Sequence, residues 1–254
     1  MTNSLISKKA KIGNNLIISN FSIIEDDVVI GDNVEIGSNV LIANGARISD
    51  NVRIHHGAVL STFPQDLKFG GEDTTLEVGE GTVIREYATL NRGTNHSKKS
   101  VVGKNCFLMA YTHVAHDCYV GDNVILANSV NMGGHVEIGN YAIIGGLVPI
   151  HQFTKIGAHV MIGGGFRTVK DVPPYALAGG FPLKFEGINS VGLRRRGFTV
   201  DQINNIKDAY YIIYRSGLNF SDAVLKLKEN SEIPEEVKLI IDFIEKSKRG
   251  LVKG

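Results

Sequence analysis

The sequence predicts a mainly β protein: a parallel β-helix built from hexapeptide repeats, followed by a small α-helical domain. Two observations carry this prediction. An aliphatic residue recurs at every sixth position over most of the chain from Ile6 to Ile162, and beyond Thr168 the period stops. A period of six fits neither an α-helix nor a simple alternating strand. It fits short strands that are separated by corners and coil into a prism.

The hexads keep one phase throughout, because the aliphatic residues all stand at multiples of six: Ile6, Ile12, Ile18, Ile24, Ile30, Ile36, Ile42, Ile48, Ile54, Leu60, Val78, Ile84, Leu90, Val102, Leu108, Val114, Val120, Leu126, Met132, Ile138, Ile144, Ile150, Ile156 and Ile162. Two interruptions, before Val78 and before Val102, preserve the phase, so each inserted loop spans whole hexads. We expect the aliphatic side chain to fill the prism, and the glycine that often follows it to relieve backbone strain at the bend. Three hexads would close one coil, so residues 18 apart should stack.

The last third of the chain changes character after Pro173-Pro174. Thr199 and Gln202 form a capping-box pattern ahead of apolar residues at helical spacing. Gly217 should end that helix, Ser221 should cap a second, and Pro234 should stand at the start of a third. We therefore predict a β-helix over residues 1–190 and a helical domain over residues 191–254.

Composition excludes several classes of function. The 254 residues carry 27 basic and 26 acidic side chains, so nothing favours non-specific nucleic-acid binding. No apolar run approaches the length of a signal peptide core or of a transmembrane span, which makes the cytoplasm the expected location. The two cysteines, Cys106 and Cys118, fit no metal or redox spacing and should be buried thiols.

The densest polar cluster is the segment from Thr112 to Cys118. His113 and His116 flank the inward Val114, and Asp117 follows His116. An imidazole with a carboxylate neighbour can act as a general base. The 18-residue stacking adds two positions: Gly134 should lie over His116, with room for a reacting carbonyl and an N–H for an oxyanion, and His135 should lie over Asp117.

Other interpretations of these polar residues stay open on the pattern alone. Histidines at subunit boundaries can bind zinc, so a metal site is the rival of a general base. His151 belongs to the same face by its spacing from Gly133. The loop that contains Asp66 and Lys68 interrupts the coil, and its charges fit either a solvated surface or a binding group.

Several segments resemble a known family. The hexads resemble the left-handed β-helix superfamily, and the stretch from Leu108 to Cys118 resembles the active-site signature of UDP-N-acetylglucosamine O-acyltransferases. Further segments match the same family over nearly the whole chain: Gln65–Lys68, Ile84–Glu86, Asn91–Thr94, His151–Phe153, Ile156–Met161, Asp171–Tyr175, Leu193–Phe198, Tyr214–Gly217 and Arg249–Leu251.

This resemblance implies the first step of lipid A synthesis, in which a homotrimeric enzyme moves a 3-hydroxyacyl chain from acyl carrier protein to the 3-hydroxyl of UDP-N-acetylglucosamine, without a cofactor or a metal. By the same resemblance His116 is the general base, Asp117 orients it, and the Gly134 N–H binds the oxyanion. The resemblance assigns sugar and phosphate binding to Asp66, Lys68, His113, His135 and Gln152, and an influence on turnover to His151. It assigns nucleotide binding to Asn189, Arg195 and Arg196, and the limit on acyl-chain length to Gly164.

The chain departs from the family pattern at Val191, where many members carry a glutamate near the uracil, and at Pro182, where some carry a histidine near the acyl tail. A glycine at position 164 implies a groove open to a longer acyl chain. The alternatives are N-acylation of a 3-amino UDP-sugar, the later N-acyltransferase of the same pathway, a trimeric zinc hydratase of carbonic-anhydrase type, and a non-catalytic structural β-helix.

Overall fold

A computed structural model describes residues 3–230 and 232–254 of the protein. The fold is a left-handed parallel β-helix with a small C-terminal helical part, as the sequence predicts. Three sheets form the sides of a prism. The first sheet contains Leu5–Ile6, Ile23–Ile24, Leu41–Ile42, Val59–Thr62, Thr89–Asn91, His113–Val114, Asn131–Met132 and Pro149–Ile150. The second contains Lys11–Ile12, Val29–Ile30, Ala46–Ile48, Thr75–Val78, Lys99–Val102, Tyr119–Val120, Glu137–Ile138 and Lys155–Ile156. The third contains Ile17–Ile18, Glu35–Ile36, Arg53–Ile54, Val83–Ile84, Phe107–Leu108, Ile125–Leu126, Ile143–Ile144, Met161–Ile162, Ala176–Gly179 and Lys184–Ile188.

Successive coils stack in parallel at the predicted spacing of 18 residues, so that Val114 pairs with Met132 and Met132 with Ile150. The two inserted loops change the spacing by whole hexads. Leu60 pairs with Leu90 and Val78 with Val102. The aliphatic positions from Ile24 onward fill one continuous core, and each fully buried Val, Leu or Ile contributes about 1.5–3 kcal/mol.

The three corners of the prism are named by the residues that stack there. The first corner, between the first and second sheets, holds Asp117, His135 and Phe153. The second corner, between the second and third sheets, holds Asn123, Tyr141, His159 and Tyr175. The third corner, between the third and first sheets, holds Tyr111, Ser129, Leu147 and Gly165. All of these residues have a positive φ, between 57° and 79°.

The role predicted for the glycines that follow the aliphatic residues is wrong. The chain bends two positions later, at the left-handed corner residues, and asparagine supplies many of these, such as Asn33 and Asn51. The glycines are required instead because the next coil lies so close. A Cβ on Gly79 would stand 2.5 Å from the carbonyl carbon of Gly103, which no side chain tolerates.

The coil continues further than the hexad pattern. Thr168 pairs with Ile150 and Val172 with Ile156, and Ala176–Gly179 then adds a parallel strand to the third sheet. Lys184–Ile188 turns back as an antiparallel strand. The sequence did not predict these strands, because alanines and glycines replace the large aliphatic residues that mark the repeat.

The described residues of this part form four helices: α1 (Ser190–Arg195), α2 (Val200–Arg215), α3 (Phe220–Lys228) and α4 (Glu235–Glu245). The capping box of Thr199 and Gln202 at α2 is confirmed, and Gly217 takes a left-handed φ of 80° after that helix. The predicted cap of the next helix is wrong. Asn219, whose side chain accepts from the Asp222 N–H, caps α3, and Ser221 lies inside the helix. Pro234 is the N-cap residue of α4.

The helices bury their own apolar cluster, which includes Leu193, Ile206 and Ile240. The C-terminal tail then returns to the coil, where Leu251 pairs with Asp171 and Val252 joins the coil core. The division into residues 1–190 and 191–254 stays a prediction, and Met1 and Thr2 lie outside the described residues. Within the described ranges, no helix is both long and apolar enough to cross a membrane.

Candidate active site

His116 and Asp117 form a hydrogen-bonded dyad at the first corner, with 2.7 Å between Nδ1 and Oδ2. The strand His113–Val114 ends just before them, and the left-handed corner, with a φ of 57° at Asp117, turns the two side chains together. The Asp117 side chain is fully buried, whereas 13% of the His116 side chain is exposed. A buried acid therefore supports a base that solutes can reach.

The second inserted loop holds the carboxylate in place. The backbone N–H and the hydroxyl of Thr94 donate to Asp117 at 3.0 and 2.7 Å, and the N–H and hydroxyl of Ser97 donate as well. Burial alone would raise the pKa of Asp117, but the hydrogen bonds from Ser97, His116 and Thr94 lower it well below its usual range. Asp117 thus stays ionised at neutral pH. Sequence reasoning did not find Ser97, because the loop lies outside the repeat.

Gly134 lies directly over the imidazole of His116, as the 18-residue spacing predicts. A Cβ on Gly134 would stand 2.5 Å from Cε1 and 2.6 Å from Nε2 of the ring. No acceptor in the described part of the chain takes the Gly134 N–H. Because Asp117 engages Nδ1, Nε2 is the nitrogen left to accept a proton, and a backbone donor stands beside it.

His135 stacks above Asp117, with its Nε2 3.9 Å from Oδ2. Its ring meets the His116 ring edge to face at 5.1 Å and stacks on Phe153 at 4.3 Å. Burial lowers the pKa of His135, and His116 and His96 add to this, which outweighs the attraction of Asp117. The ring is thus a neutral hydrogen-bonding group at neutral pH.

His113 points outward from the first sheet on the same side. Its Nδ1 lies 2.8 Å from the Thr89 hydroxyl, and burial lowers its pKa. Thr89, which orients this ring, was not among the predicted residues. It was detectable in principle, because it stands opposite His113 once the six-residue insertion between them is counted.

The structure brings nine of the predicted site residues to the first corner or the adjoining edge of the first sheet: Asp66, Lys68, His113, His116, Asp117, Gly134, His135, His151 and Gln152. It does not bring the remaining four there. The Asn189 side chain donates to the carbonyl of His159 at 3.0 Å, and Arg196 donates to that of Tyr141 at 2.8 Å, so both lie at the second corner. Arg195 is exposed on α1, and Gly164 lies at the third corner beside Gly146.

His116, Asp117 and His135 also form a possible metal-ligand cluster, since one ligand atom of each lies within 4.8 Å of the others. The carboxylate already accepts hydrogen bonds from Thr94, Ser97 and His116. A metal would have to displace these donors, and a hydratase needs three histidines with an open position. The cluster therefore fits a base and its supporting acid better than it fits zinc.

Neither cysteine offers a nucleophile. Cys106 and Cys118 point into the coil, as predicted, and burial raises their pKa values to about 11 and about 12. The reactive form of cysteine is the thiolate, which is scarce at neutral pH under these conditions. An acyl-enzyme on either residue is therefore unfavourable.

Comparison with known proteins places the chain in a family. Residues 171–252 match the model of "Udp N-acetylglucosamine O-acyltransferase; Domain 2", and residues 9–44 and 99–134 match bacterial transferase hexapeptide repeats. An acyl-[acyl-carrier-protein]–UDP-N-acetylglucosamine O-acyltransferase of Chlorobaculum parvum is 56% identical over 198 residues, which are 78% of this chain and 75% of that protein. One from Paraburkholderia phymatum is 38% identical over 79% of this chain and 78% of that protein.

Solved structures agree over the full length. The UDP-N-acetylglucosamine acyltransferase of Bacteroides fragilis superposes with a TM-score of 0.95 at 45% identity, covering 99% of this chain and 98% of that one. The LpxA structure from Acinetobacter baumannii has a TM-score of 0.96 at 40% identity, with coverage of 100% and 99%. The chain belongs to the UDP-N-acetylglucosamine O-acyltransferase family.

Proposed function

We propose that this protein transfers a 3-hydroxyacyl chain from acyl carrier protein to the 3-hydroxyl of UDP-N-acetylglucosamine, the first step of lipid A synthesis, with His116 as general base. The observation that carries the proposal is the His116–Asp117 dyad beneath the free N–H of Gly134. The relatives named above are acyl-carrier-protein-dependent O-acyltransferases, which favours the hydroxyl over an amine as acceptor. The cytoplasmic location stays a prediction.

The chemistry follows from the dyad. Nε2 of His116 takes the proton of the sugar hydroxyl as its oxygen attacks the thioester carbonyl. The oxyanion of the tetrahedral intermediate accepts the Gly134 N–H, while Asp117 stabilises the imidazolium. The intermediate then expels the thiolate of the carrier, which receives the proton from His116. A positioned base contributes about 10²–10⁴ in rate and an oxyanion donor about 10²–10³.

The remaining predicted residues keep the roles that the family resemblance gives them. We propose that the sugar and phosphates are bound by Asp66, Lys68, His113, His135 and Gln152, and that His151 influences turnover. The absence of a side chain at Gly164 supports a groove for a longer acyl chain. Asn189, Arg195 and Arg196 are proposed to bind the nucleotide, although Asn189 and Arg196 lie at another corner of the same chain.

A homotrimer would reconcile these positions, and we include it in the proposal. The outward face of the third sheet is apolar over its C-terminal half, with Phe107, Ile125, Ile143 and Met161. Such a continuous apolar face is typical of an interaction surface. The third corner is also apolar, since Tyr111 and Leu147 are exposed there.

The shape of the prism supports a closed ring. If the third corners meet at a threefold axis, the third sheet of one chain faces the first sheet of the next, and this heterologous contact closes after three copies. The cleft between two chains then opens toward the first corner of one and the second corner of the other. Asn189 and Arg196 of one chain would face His116 of its neighbour.

The test is an acyl-transfer assay on purified protein with 3-hydroxyacyl carrier proteins and UDP-N-acetylglucosamine, in which mass spectrometry resolves the product. We expect a 3-O-acylated sugar nucleotide, and a loss of about 10²–10⁴ in kcat for His116→Ala with the fold retained by circular dichroism. Lys207→Ala, at an exposed position of helix α2, is the control and should keep its activity. Near-normal turnover by His116→Ala would remove the assignment of the base, and product only from a 3-amino sugar would change the acceptor.

A further inference from the structure

Arg92 is a buried arginine at the start of the second inserted loop, with only 8% of its surface exposed. Among the described residues, no carboxylate forms an ion pair with it within 4.0 Å. Burial lowers the pKa of Arg92, and the more distant charges of Glu25 and Asp27 offset only part of this effect. Because a buried charge without a close partner costs free energy, the cation needs an explanation other than stability.

The guanidinium of Arg92 holds the entry of the first inserted loop, residues 63–74. Its Nε donates to the carbonyl of Ser61 at 2.8 Å, just before the loop begins. Its Cζ lies 5.1 Å from the centre of the Phe63 ring, within the range of a cation–π contact. The side chain of Asn91, which is also buried, donates to the carbonyl of Phe63 at 3.0 Å. Two consecutive residues of one loop therefore clamp the first residues of the other.

A chain of contacts leads from this clamp to the tip of the first inserted loop. The centres of the Phe63 and Phe69 rings lie 5.3 Å apart. The N–H of Phe69 donates to the carbonyl of Asp66, and the N–H of Lys68 donates to the carboxylate of Asp66, both at 3.0 Å. These two hydrogen bonds fold the tip into a tight turn. The turn thus keeps its own shape, and the two rings connect it to Arg92.

The segment that begins at Arg92 also holds the acid of the dyad. Two residues later, Thr94 donates to Asp117 from its N–H and its hydroxyl. Between them, Gly93 has no room for a side chain, because a Cβ would overlap the backbone of Lys99. The segment is therefore compact, and it joins the first inserted loop to the dyad through only three residues.

We propose that Arg92 is a positioning residue for the sugar nucleotide, because it fixes the turn of Asp66 and Lys68 relative to the dyad. A guanidinium suits this role, since its planar face lies against a ring while its N–H groups bond to the backbone. The inference rests on the proposed function, in which Asp66 and Lys68 bind the sugar and phosphates. It adds a residue that acts through the loop and not on the substrate.

The first variant is Arg92→Met, in which the side chain has neither a donor nor a charge. We expect the KM for UDP-N-acetylglucosamine to rise about tenfold, because a charge-assisted hydrogen bond and a ring contact are lost. The KM for the 3-hydroxyacyl carrier protein should change less than about twofold, because the dyad and its hydrogen bonds remain. The Tm should change little, since the carbonyl of Ser61 loses its donor while a buried charge is removed.

The matched control is Arg47→Met. The guanidinium of Arg47 lies near that of Arg92 but bonds to Asp27 and to the carbonyl of Ala46. Both KM values of this variant should resemble those of the parent. Equal rises in the two KM values of Arg92→Met, together with a lower Tm, would show that Arg92 only supports the fold and would overturn the positioning role.

Two further variants test the route through the rings. Phe63→Leu should raise the KM for UDP-N-acetylglucosamine about as much as Arg92→Met, and combining the two changes should add little, because both interrupt one route. Arg92→Lys keeps the charge without the planar donor and should behave like Arg92→Met. Multiplied effects in the double variant, or a parent-like KM for Arg92→Lys, would contradict this route.

Activity of the parent protein tests the proposed function, whereas the comparison of variant with parent tests the role of Arg92. If the parent forms no acylated sugar nucleotide, the proposed function fails, and amide exchange still reports whether residues 63–70 open faster in Arg92→Met. If the parent is active and Arg92→Met changes neither the KM for UDP-N-acetylglucosamine nor this exchange, the positioning role is wrong and the proposed function stands.

Discussion

The carboxylate of Asp117 is fully buried and fully hydrogen-bonded. Five donors from Thr94, Ser97 and His116 meet its two oxygens. Such a carboxylate cannot turn away from the imidazole, so the tautomer and the direction of His116 are fixed before substrate arrives. The oxyanion donor has no comparable support from side chains and depends on the position of the Gly134 backbone.

Gly134→Ala should therefore reduce kcat by about 10² or more. The new Cβ would stand 2.5 Å from the His116 ring and would push the base out of line. The coil itself should remain, as judged by the far-UV circular dichroism spectrum and Tm. Gly70→Ala, where the added Cβ would meet nothing closer than 3.9 Å, is the control. Normal turnover by Gly134→Ala would show that the ring does not need its present position.

His159 at the second corner should make folding sensitive to acid. Burial, with a smaller contribution from Arg196, lowers its pKa from 6.5 to about 4. Between these two pH values His159 is protonated in the unfolded chain but neutral in the folded chain. The free energy of unfolding therefore falls as the pH drops through this window. His159→Phe keeps the stacking on Tyr141 and Tyr175 without the titration. Its Tm should decline less than that of the parent between about pH 6.5 and 4, and parallel Tm curves would contradict this.

The site could be predicted from sequence wherever the repeat fixes the register. His116, Asp117, Gly134 and His135 stand where 18-residue stacking places them, because every coil repeats the same strand and corner geometry. Ser97 could not be found that way. It lies in an insertion, where the chain leaves the coil and no period relates sequence to position.

At the scale of the element, the coil was predictable and its end was not. Large aliphatic residues at one phase determine which side chains enter the prism. After Ile162 the chain reaches the third sheet again with Ala176 and Ala178, whose small side chains lie in the same core as the tail residue Val252. Because a segment that is distant in the sequence covers the end of the coil, no local sequence pattern marks where the coil ends.

Helix α2 offers an element that can be tested alone. Thr199 accepts from the Gln202 N–H, and the Gln202 side chain accepts from the Thr199 N–H. Thr199→Ala should lower stability by about 0.5–2 kcal/mol and increase amide exchange in the first turn of α2. Thr199→Ser, which retains the hydroxyl, should restore most of the loss. No change in Tm or in exchange for Thr199→Ala would mean that packing alone holds this helix.

At the scale of the whole molecule, the proposed trimer depends on the apolar face of the third sheet. Phe107→Glu would place a charge in the proposed contact, so the molecular mass by light scattering should fall from three chains to one, and activity should fall with it. Tyr119→Glu, the equivalent change on the second sheet, should leave the mass at three chains. A parent protein that is already monomeric would remove the trimer from the proposal.

The two insertions into the coil have a consequence for how such a gene can change in length. They add whole hexads, so Leu60 and Leu90, or Val78 and Val102, still face inward as partners. Within the coil itself, a change of any other length would shift the repeat relative to the strands and corners, unless the extra residues loop out. In-frame duplications or deletions are therefore expected to survive in units of six codons within the coil. The exposed loop tips can vary more freely. Inherited length differences should therefore be multiples of six residues within the coil and of any length at the loop tips.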